Sequence, residues 1–371
     1  MISSKGKRMR SFRFWRITAF VCLLLANPLV QAAAPKFAVM LPQSGRMAKA
    51  AEAIRDGLLA AYYQDSATLA ETPSLHFYDS ADADIARLMQ QVRDDGASLV
   101  IGPLDREHIE TLIRLGTRLP LPVLALNRTE GQLENLFQFA LAPEDELQRL
   151  ASWMKSENIR HPLVLAATDE GSQRQLKIFQ SSWLGEASGA LRVVLLDPAR
   201  KGGVTASIRD MVRSAGAEDA LFLATPSLAR QVQPALTYYH STLPLYSHSS
   251  AWDPVADVSG QKDLDGVRFC DSPWMLDADM RPEQQALYQA FSRPAGGYDR
   301  LHAFGADAWT LALNWKTLQQ GEPLALRSGV ILLDPSRHLR RTPTCAEVRN
   351  GNAVPVPASS ESAPPESGSG G

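Results

Sequence analysis

The chain of 371 residues is long enough for one large or two medium α/β domains, and its hydrophobic content of 45% is ordinary for a globular protein. It carries 38 basic and 40 acidic residues, a formal net charge of −2. This composition excludes general disorder, and the chain lacks the basic excess that is typical of nucleic-acid-binding proteins.

The first 32 residues have the pattern of a secretory signal peptide. Six Lys or Arg residues lie between Lys5 and Arg16, and an apolar run at 17–25 and small residues at 32–34 follow them. The apolar run is about half the roughly 20 residues that a membrane-spanning helix needs. We therefore predict cleavage and a periplasmic mature protein. Removing six of the 38 basic residues leaves 32 against 40 acidic ones, a balance of −8, so no nucleic-acid partner is expected.

The three cysteines bear on anchoring and on disulfide formation. A lipoprotein signal needs a small residue directly before its cysteine, whereas Val21 precedes Cys22. We expect no lipid anchor, although association with the outer membrane by other means stays open. The mature chain retains Cys270 and Cys345 in a compartment where a disulfide can persist. Two separate buried thiols are the favoured interpretation, and a Cys270–Cys345 disulfide is the alternative.

From residue 36 onward, apolar strand-like runs alternate with amphipathic helical segments. This alternation predicts parallel sheets with helices on both faces, and seven or more such units favour two lobes over one sheet. The predicted strands are Phe37–Leu41, Leu75–Tyr78, Ser98–Ile101, Pro122–Leu126, Phe137–Ala140, Pro162–Ala166, Leu191–Leu196, Ala220–Ala224 and Leu243–Tyr246. The predicted helices between them are Met47–Tyr63, Asp84–Asp94, Asp105–Leu115, Pro143–Lys155, Ser172–Trp183, Val204–Arg213 and Ser227–Tyr238.

The pattern changes in the last third of the chain. Helices are predicted at Pro282–Ser292 and Tyr298–Leu318, and a last strand at Gly329–Leu333. We expect lobe 1 to comprise about 36–140 plus a return segment near 270–320, and lobe 2 to comprise about 141–265 plus 321–351. Residues 352–371 are rich in Pro, Ser, Glu, Ala and Gly, which predicts a disordered tail.

Two strand-to-helix turns are candidate walls of a ligand cleft between the lobes. Open α/β sheets bind ligands at the carboxyl ends of their strands, and small anions often bind at helix N-termini there. In the second turn, however, Asp105 is placed to cap its own helix and Glu107 adds negative charge, so an anion would be repelled. Ser44 is the expected cap of the first helix. The seven candidate cleft residues are Pro42, Ser44 and Gly45 after the first strand, Gly102, Pro103 and Leu104 after the third, and Asn127 after the fourth.

No catalytic or cofactor motif is convincing, so we expect neither an enzyme nor a cofactor. The chain contains no Gly-x-Gly-x-x-Gly, phosphate-loop, Gly-x-Ser-x-Gly or His-Glu-x-x-His sequence. Ser152 and Lys155 fit the Ser-x-x-Lys nucleophile motif, but the same segment reads as a helix with a buried stripe at Leu147, Leu150, Ala151 and Met154, which we favour. A metal site at His240 and His248 would lack further ligands, so none is expected.

One segment of the sequence gives a more specific signal than these short motifs do. The run from Asp263 to Trp274, DLDGVRFCDSPW, resembles a signature of the LppC-type, or LpoA-like, penicillin-binding protein activators. Other segments resemble the same family in the same order: LPQSGRMAKAAEAIRDG, IGPLDREHIETL, LPVLALN, FQFALAPEDE, RLHAFGADAWTLA and GVILLDPSRHLRRT. The resemblance covers about 35–351.

The resemblance implies a type I periplasmic binding protein-like fold and a non-enzymatic regulator. Such a regulator binds a bifunctional peptidoglycan synthase, a class A penicillin-binding protein, and stimulates it. Typical members also carry a helical-repeat domain and a lipidated cysteine, so this chain resembles their C-terminal domain. The alternative is a periplasmic receptor with a small amino-acid-like or muropeptide ligand in the interlobe cleft.

Overall fold

The computed structural model describes residues 34–116, 118–184, 191–197, 199, 201–214, 216–254, 258–292 and 296–356. The predicted signal peptide and the region beyond 356 lie outside these residues. The described chain forms two sheets with helices packed on them, so the predicted two-lobed α/β architecture is confirmed.

The first lobe is built on an eight-stranded sheet. Its five N-terminal strands are parallel, and three C-terminal strands extend it. The strands are β1 (Lys36–Leu41), β2 (Ser74–Asp79), β3 (Leu99–Ile101), β4 (Arg118–Ala125), β5 (Glu134–Phe139), β11 (Leu324–Leu326), β12 (Gly329–Leu333) and β13 (His338–Thr342). Their order across the sheet is β11–β12–β13–β5–β4–β3–β1–β2. The first three helices are α1 (Ala48–Ser66), α2 (Ile85–Asp94) and α3 (Arg106–Leu115).

The second lobe is built on a seven-stranded sheet. Its strands are β6 (Pro162–Ala166), β7 (Arg192–Leu195), β8 (Ala220–Leu223), β9 (Leu245–Ser247), β10 (Val267–Asp271), β14 (Thr344–Arg349) and β15 (Asn352–Pro355), in the order β15–β14–β10–β9–β8–β6–β7. The next helices along the chain are α4 (Pro143–Ser156), α5 (Glu170–Leu184), α6 (Gly203–Ser214), α7 (Ala229–Tyr238) and the short α8 (Val258–Gln261). After β10 come α9 (Pro273–Leu276), α10 (Arg281–Phe291), α11 (Asp299–Leu313) and α12 (Trp315–Gln319).

The inner strands of both sheets are buried on two faces, which explains why parallel strands such as β3, β6 and β8 are apolar throughout. In β1, Val39 and Leu41 point into one hydrophobic cluster and Ala38 and Met40 into another. Because successive side chains of a strand point to opposite faces, each such strand contributes to two cores. Helices α1 and α11 cover one face of the first sheet, and α2 and α3 cover the other.

The predicted lobe boundaries need correction at the C-terminal end. Residues 324–342, expected in lobe 2, form β11–β13 of the first sheet, and β10 belongs to the second sheet. The chain therefore crosses between the sheets after β5, after β10 and again between β13 and β14. Residues 352–355, expected in the tail, form β15 beside β14.

The predicted helix Tyr298–Leu318 is two helices. Helix α11 ends at Leu313, and α12 begins at Trp315 after the C-cap Asn314. The side-chain amide of Asn314 donates to the Thr310 carbonyl at 2.8 Å. The same carbonyl accepts the backbone N–H of Asn314 at 3.0 Å, so Asn314 holds the end of α11 through two hydrogen bonds.

Two glycines allow α1 and α11 to cross at very close range. A Cβ atom added to Gly57 would lie 1.9 Å from the His302 carbonyl oxygen, and one added to Gly305 would lie 1.9 Å from that of Ile54. No side chain fits at either point. Residues 299–313, from late in the chain, therefore become an integral layer of the N-terminal lobe and hold the return segment against it.

Candidate functional site

One candidate site is a cleft of about 670 Å³ at the carboxyl end of the first sheet, bordered by both lobes. Its apolar wall includes Met47, Ile54, Leu126 and Phe304. Of the seven predicted cleft residues, Leu104 and Asn127 line it. The polar residues around it are Arg106, Asn127, Arg128, Thr129, Glu130, Glu144, Arg174, His338 and Arg340.

Gly102 and Pro103 shape the sheet end behind the cleft. Gly102 has φ +108, and a Cβ there would lie 2.1 Å from the Met40 carbonyl oxygen. Its N–H donates to Leu124 at 2.8 Å, while the Pro103 carbonyl accepts from the Leu126 N–H at 2.9 Å. The backbone groups of this turn are thus committed to neighbouring strands, and Gly102 is required for close approach rather than for ligand contact.

Pro42, Ser44 and Gly45 line a second depression of about 450 Å³, which adjoins the cleft at Met47. The expectation that Ser44 caps the first helix is wrong. Helix α1 begins at Ala48, its N-cap residue is Met47, and no side chain accepts a hydrogen bond from its first turn. The chain reaches the helix through a turn in which the Ala48 N–H donates to the Gly45 carbonyl at 3.2 Å.

The predicted cap at Asp105 is confirmed. Its side chain accepts the Glu107 N–H at 2.9 Å at the start of α3. An oxygen of this carboxylate therefore takes the position that a ligand anion would need, which agrees with the predicted repulsion of anions.

A buried carboxylate, Asp145, lies beneath the cationic side of the cleft. Asp145 is in the first turn of α4, and its side chain is 0% exposed. Arg128 donates to both of its oxygens, at 3.1 and 2.9 Å, and Arg340 approaches at 2.9 Å. The Arg341 N–H adds a bond of 3.3 Å. These contacts join the loop after β4 and strand β13 of the first lobe to the first helix after the crossover.

The next residue, Glu146, forms its hydrogen bonds with residues of the second lobe. Its carboxylate accepts from the Ser249 N–H at 2.6 Å and from the Ser249 hydroxyl at 3.1 Å, and His248 Nε2 lies 3.2 Å away. Complete burial raises the pKa of Glu146, and nearby His248 opposes that shift. On the first lobe, burial and then the charge of Arg128 lower the pKa of His338.

A second ion pair spans another crossover. Arg300, in the first turn of α11, donates Nε to Asp271 at the end of β10, with distances of 3.0 and 3.1 Å to the two carboxylate oxygens. Asp271 is 1% exposed. The hinge between the lobes is therefore crossed by paired charges at two places.

Ser152 and Lys155 lie on the amphipathic helix α4. Helix α4 buries Leu147, Leu150, Ala151 and Met154, as the amphipathic pattern predicts. Lys155 Nζ lies over the ring of Trp183, 5.2 Å from its centroid. Among the described residues, no group of three His, Cys, Asp or Glu side chains could hold a metal ion. No helix in the described part of the chain has both the length and the apolar character to cross a membrane.

Cys270 and Cys345 form a disulfide, so the favoured interpretation of two separate thiols is wrong. The two residues are direct partners in the antiparallel pairing of β10 with β14. That pairing joins strands separated by 75 residues, and both side chains are buried.

The sequence analysis did not identify Arg128, Asp145 or Arg340. One sequence signal was available: three consecutive acidic residues, 144–146, in the first turn of a predicted helix. Fewer acids are enough to interact favourably with the helix dipole, so at least one of the three could have been expected to have another role. Their cationic partners could not be found, because Arg340 comes 195 residues after Asp145.

Comparison with known proteins identifies the family of this chain. A model of the family described as "LppC putative lipoprotein" matches residues 23–351. The chain belongs to this family. A curated relative, the penicillin-binding protein activator LpoA of Edwardsiella piscicida, is 29% identical over 327 residues, with 76% of this chain and 46% of the relative covered. The chain thus spans about half the length of the curated relatives it matches.

Solved structures with a similar fold include an LpoA domain and a protein described as a transporter. The C-domain of LpoA (YraM) from Haemophilus influenzae, described as a regulator of PBP1A, is similar with a TM-score of 0.72 and 25% identity, covering 86% of this chain and 99% of that domain. A protein from Chromobacterium violaceum described as a putative branched-chain amino acid ABC transporter gives a TM-score of 0.68 at 29% identity, with 85% and 100% covered. The predicted periplasmic binding protein-like fold and family are confirmed.

Proposed function

We propose that this LppC-family chain is a non-enzymatic regulator that binds and activates a bifunctional peptidoglycan synthase of the class A penicillin-binding protein type. The observation that carries the proposal is its match to nearly the whole C-domain of LpoA, a regulator of PBP1A. Relatives named as penicillin-binding protein activators support it. The side chains around the cleft are consistent with a binding protein. The buried carboxylate of Asp145 is paired with Arg128 and Arg340 rather than placed beside a nucleophile.

Stimulation of a purified synthase tests this proposal. Adding the mature protein to the class A synthase of its own organism should raise the rate of peptidoglycan crosslinking, and envelope crosslinking should recover the two proteins together. Serum albumin at the same concentration serves as the control for nonspecific stimulation. Unchanged synthase rates together with no crosslinked pair would contradict the proposal.

The cleft supports a second candidate function, a periplasmic receptor for an amino-acid-like or muropeptide ligand. Its volume of about 670 Å³ and its mixed apolar and polar wall suit a small molecule. Calorimetry with amino acids and peptidoglycan fragments separates the two functions. Tight binding of one such ligand by a protein that leaves the synthase unchanged would favour the receptor.

We further propose that the protein is periplasmic, that it loses its leader and that it carries no lipid. Membership in a family described as lipoproteins supports export to the envelope, and the residues before Cys22 argue against modification there. Intact-mass measurement of the exported product should give a chain beginning near Ala33 or Pro35. A diacylglyceryl group on Cys22 would contradict this expectation.

A further inference from the structure

The 450 Å³ depression that contains Pro42, Ser44 and Gly45 has the position of a ligand site in an open α/β sheet. In the first sheet β1 lies between β3 and β2. The chain leaves β1 toward β2 in one direction, and leaves β3 toward β4 in the other. Ligands of open α/β sheets bind in the crevice outside the carboxyl ends of the strands at such a reversal of strand order.

Loops from all three strand ends line this depression. The loop after β1 contributes Ser44, Gly45 and Arg46, the loop after β2 contributes residues 80–83, and the start of α3 contributes residues 105, 107 and 108. Helices α1 and α3 pack on opposite faces of the sheet. Their beginnings therefore diverge and leave the crevice between them open. It adjoins the interlobe cleft, with which it shares only Met47.

The charged side chains that line the depression favour the binding of a cation over that of an anion. Three carboxylates, Asp82, Asp105 and Glu107, face a single Arg or Lys, Arg46. Asp82 and Glu107 are exposed at the rim, and neither forms an ion pair within the part of the chain that the structure describes. A positively charged group entering the depression would gain their attraction, whereas an anion would meet the repulsion already noted at Asp105.

One hydroxyl in the lining is buried. Ser80 is 1% exposed, and its Oγ has no hydrogen-bond partner among the residues that the structure describes. Leaving a buried hydroxyl without a hydrogen bond costs free energy. A ligand that donates a hydrogen bond to Ser80 Oγ would remove this cost. Carboxylates nearby and an unused hydroxyl acceptor both fit an ammonium group, which carries three donors and one positive charge.

We propose that this depression binds an organic ammonium group, such as the side-chain amine of a lysine-type or diamino-acid residue in a small peptide. The depression is within the size range of small-molecule sites. A metal ion fits less well, because the described residues contain no group of three metal-ligating His, Cys, Asp or Glu side chains. The proposed site is independent of synthase activation, and either can fail without the other.

Titration of the whole mature protein with 1,5-diaminopentane, followed by backbone amide NMR, tests the proposal. We expect the amine to shift the amide signals of 42–47, 80–83 and 105–108, and added salt to weaken the binding. Glutarate, an anion of the same length, should leave these signals unchanged. Shifts with glutarate as large as those with the amine, or no amine-dependent shifts at these positions, would overturn the proposal.

Three variants identify the groups responsible. The double variant Asp82→Asn/Glu107→Gln should bind the amine at least about tenfold more weakly, a change of about 1.4 kcal/mol. Asn suits the positive φ of 51 at position 82 as well as Asp does. The matched control is Asp263→Asn, an exposed site in the second lobe, which should leave affinity unchanged.

Ser80→Ala separates a ligand contact from a structural role. It should weaken amine binding without lowering the melting temperature, because the hydroxyl has no hydrogen-bond partner in the described part of the chain. Amine affinity unchanged in both Ser80→Ala and the double variant would overturn the assignment of this site.

Discussion

Asp145→Asn is expected to lower the free energy of unfolding by about 3–5 kcal/mol, the usual cost of removing one partner from a buried ion pair. The substitution preserves the shape of the side chain and removes the charge that Arg128 and Arg340 share. Arg128 is only 14% exposed, so water cannot replace the lost carboxylate fully. Urea unfolding measures the effect.

Glu144→Gln is the matched control for Asp145→Asn. It removes one carboxylate charge from the same helical turn, but Glu144 is exposed. Surface substitutions of this kind change stability by less than about 0.5 kcal/mol. Equal losses in the two variants would show that the cost comes from the helix dipole and not from the buried ion pairs between crossover segments.

Removing the disulfide with Cys270→Ala/Cys345→Ala is expected to cost about 4.5 kcal/mol, the chain-entropy value for a closed loop of this length. The two cysteines are 75 residues apart, so the bond restricts a long segment of the unfolded chain. Alanine leaves no unpaired polar group at these buried positions. The measurement is the urea midpoint of the oxidised protein against that of the variant.

Dithiothreitol provides the control for the disulfide prediction. During unfolding in urea it should lower the wild-type midpoint toward that of the double variant, and it should leave the variant unchanged. A double variant as resistant to urea as the oxidised wild type would contradict the prediction. It would mean that the antiparallel pairing of β10 with β14 is stable without the covalent link.

Sequence reasoning succeeded where the structural signal was local. Inner strands such as β3 and β6 are apolar throughout because both of their faces are buried, and this pattern is readable without knowing their neighbours. Asp105 could be identified as a cap for the same reason, since its hydrogen bond reaches only two residues along the chain. The strand-to-helix turns around 42–45 and 102–104 were found correctly, but Ser44 was not a cap, because the helix begins only at Ala48.

Of the strands at the C-terminal end, β12 was predicted at its observed bounds, Gly329–Leu333, whereas β11, β13, β14 and β15 were not predicted. Strand β13, with the sequence HLRRT, lacks a continuous apolar run, and its place beside β5 depends on pairing with a segment 200 residues earlier, His338 with Gln138. For the same reason we predicted residues 324–342 in lobe 2, whereas they belong to the sheet of lobe 1. Pairing between strands that are distant in the chain depends on which sheet edge is free when the lobes fold. The residues of the segment itself do not identify that edge.

The sequence by itself determined the alternation of strands and helices, and with it the α/β class, because hydrophobic period follows directly from burial. Its motifs also indicated the family. Only the tertiary structure decided which residues meet: Cys270 with Cys345, Asp145 with Arg128 and Arg340, and Ser80 with the acidic rim of its depression. The physical reason is that these side chains come from separate segments of the chain. Cys270 meets Cys345, and Asp145 meets Arg340, only after the chain has crossed between the two sheets. The depression around Ser80 needs the ends of β1, β2 and β3 to lie side by side in the first sheet.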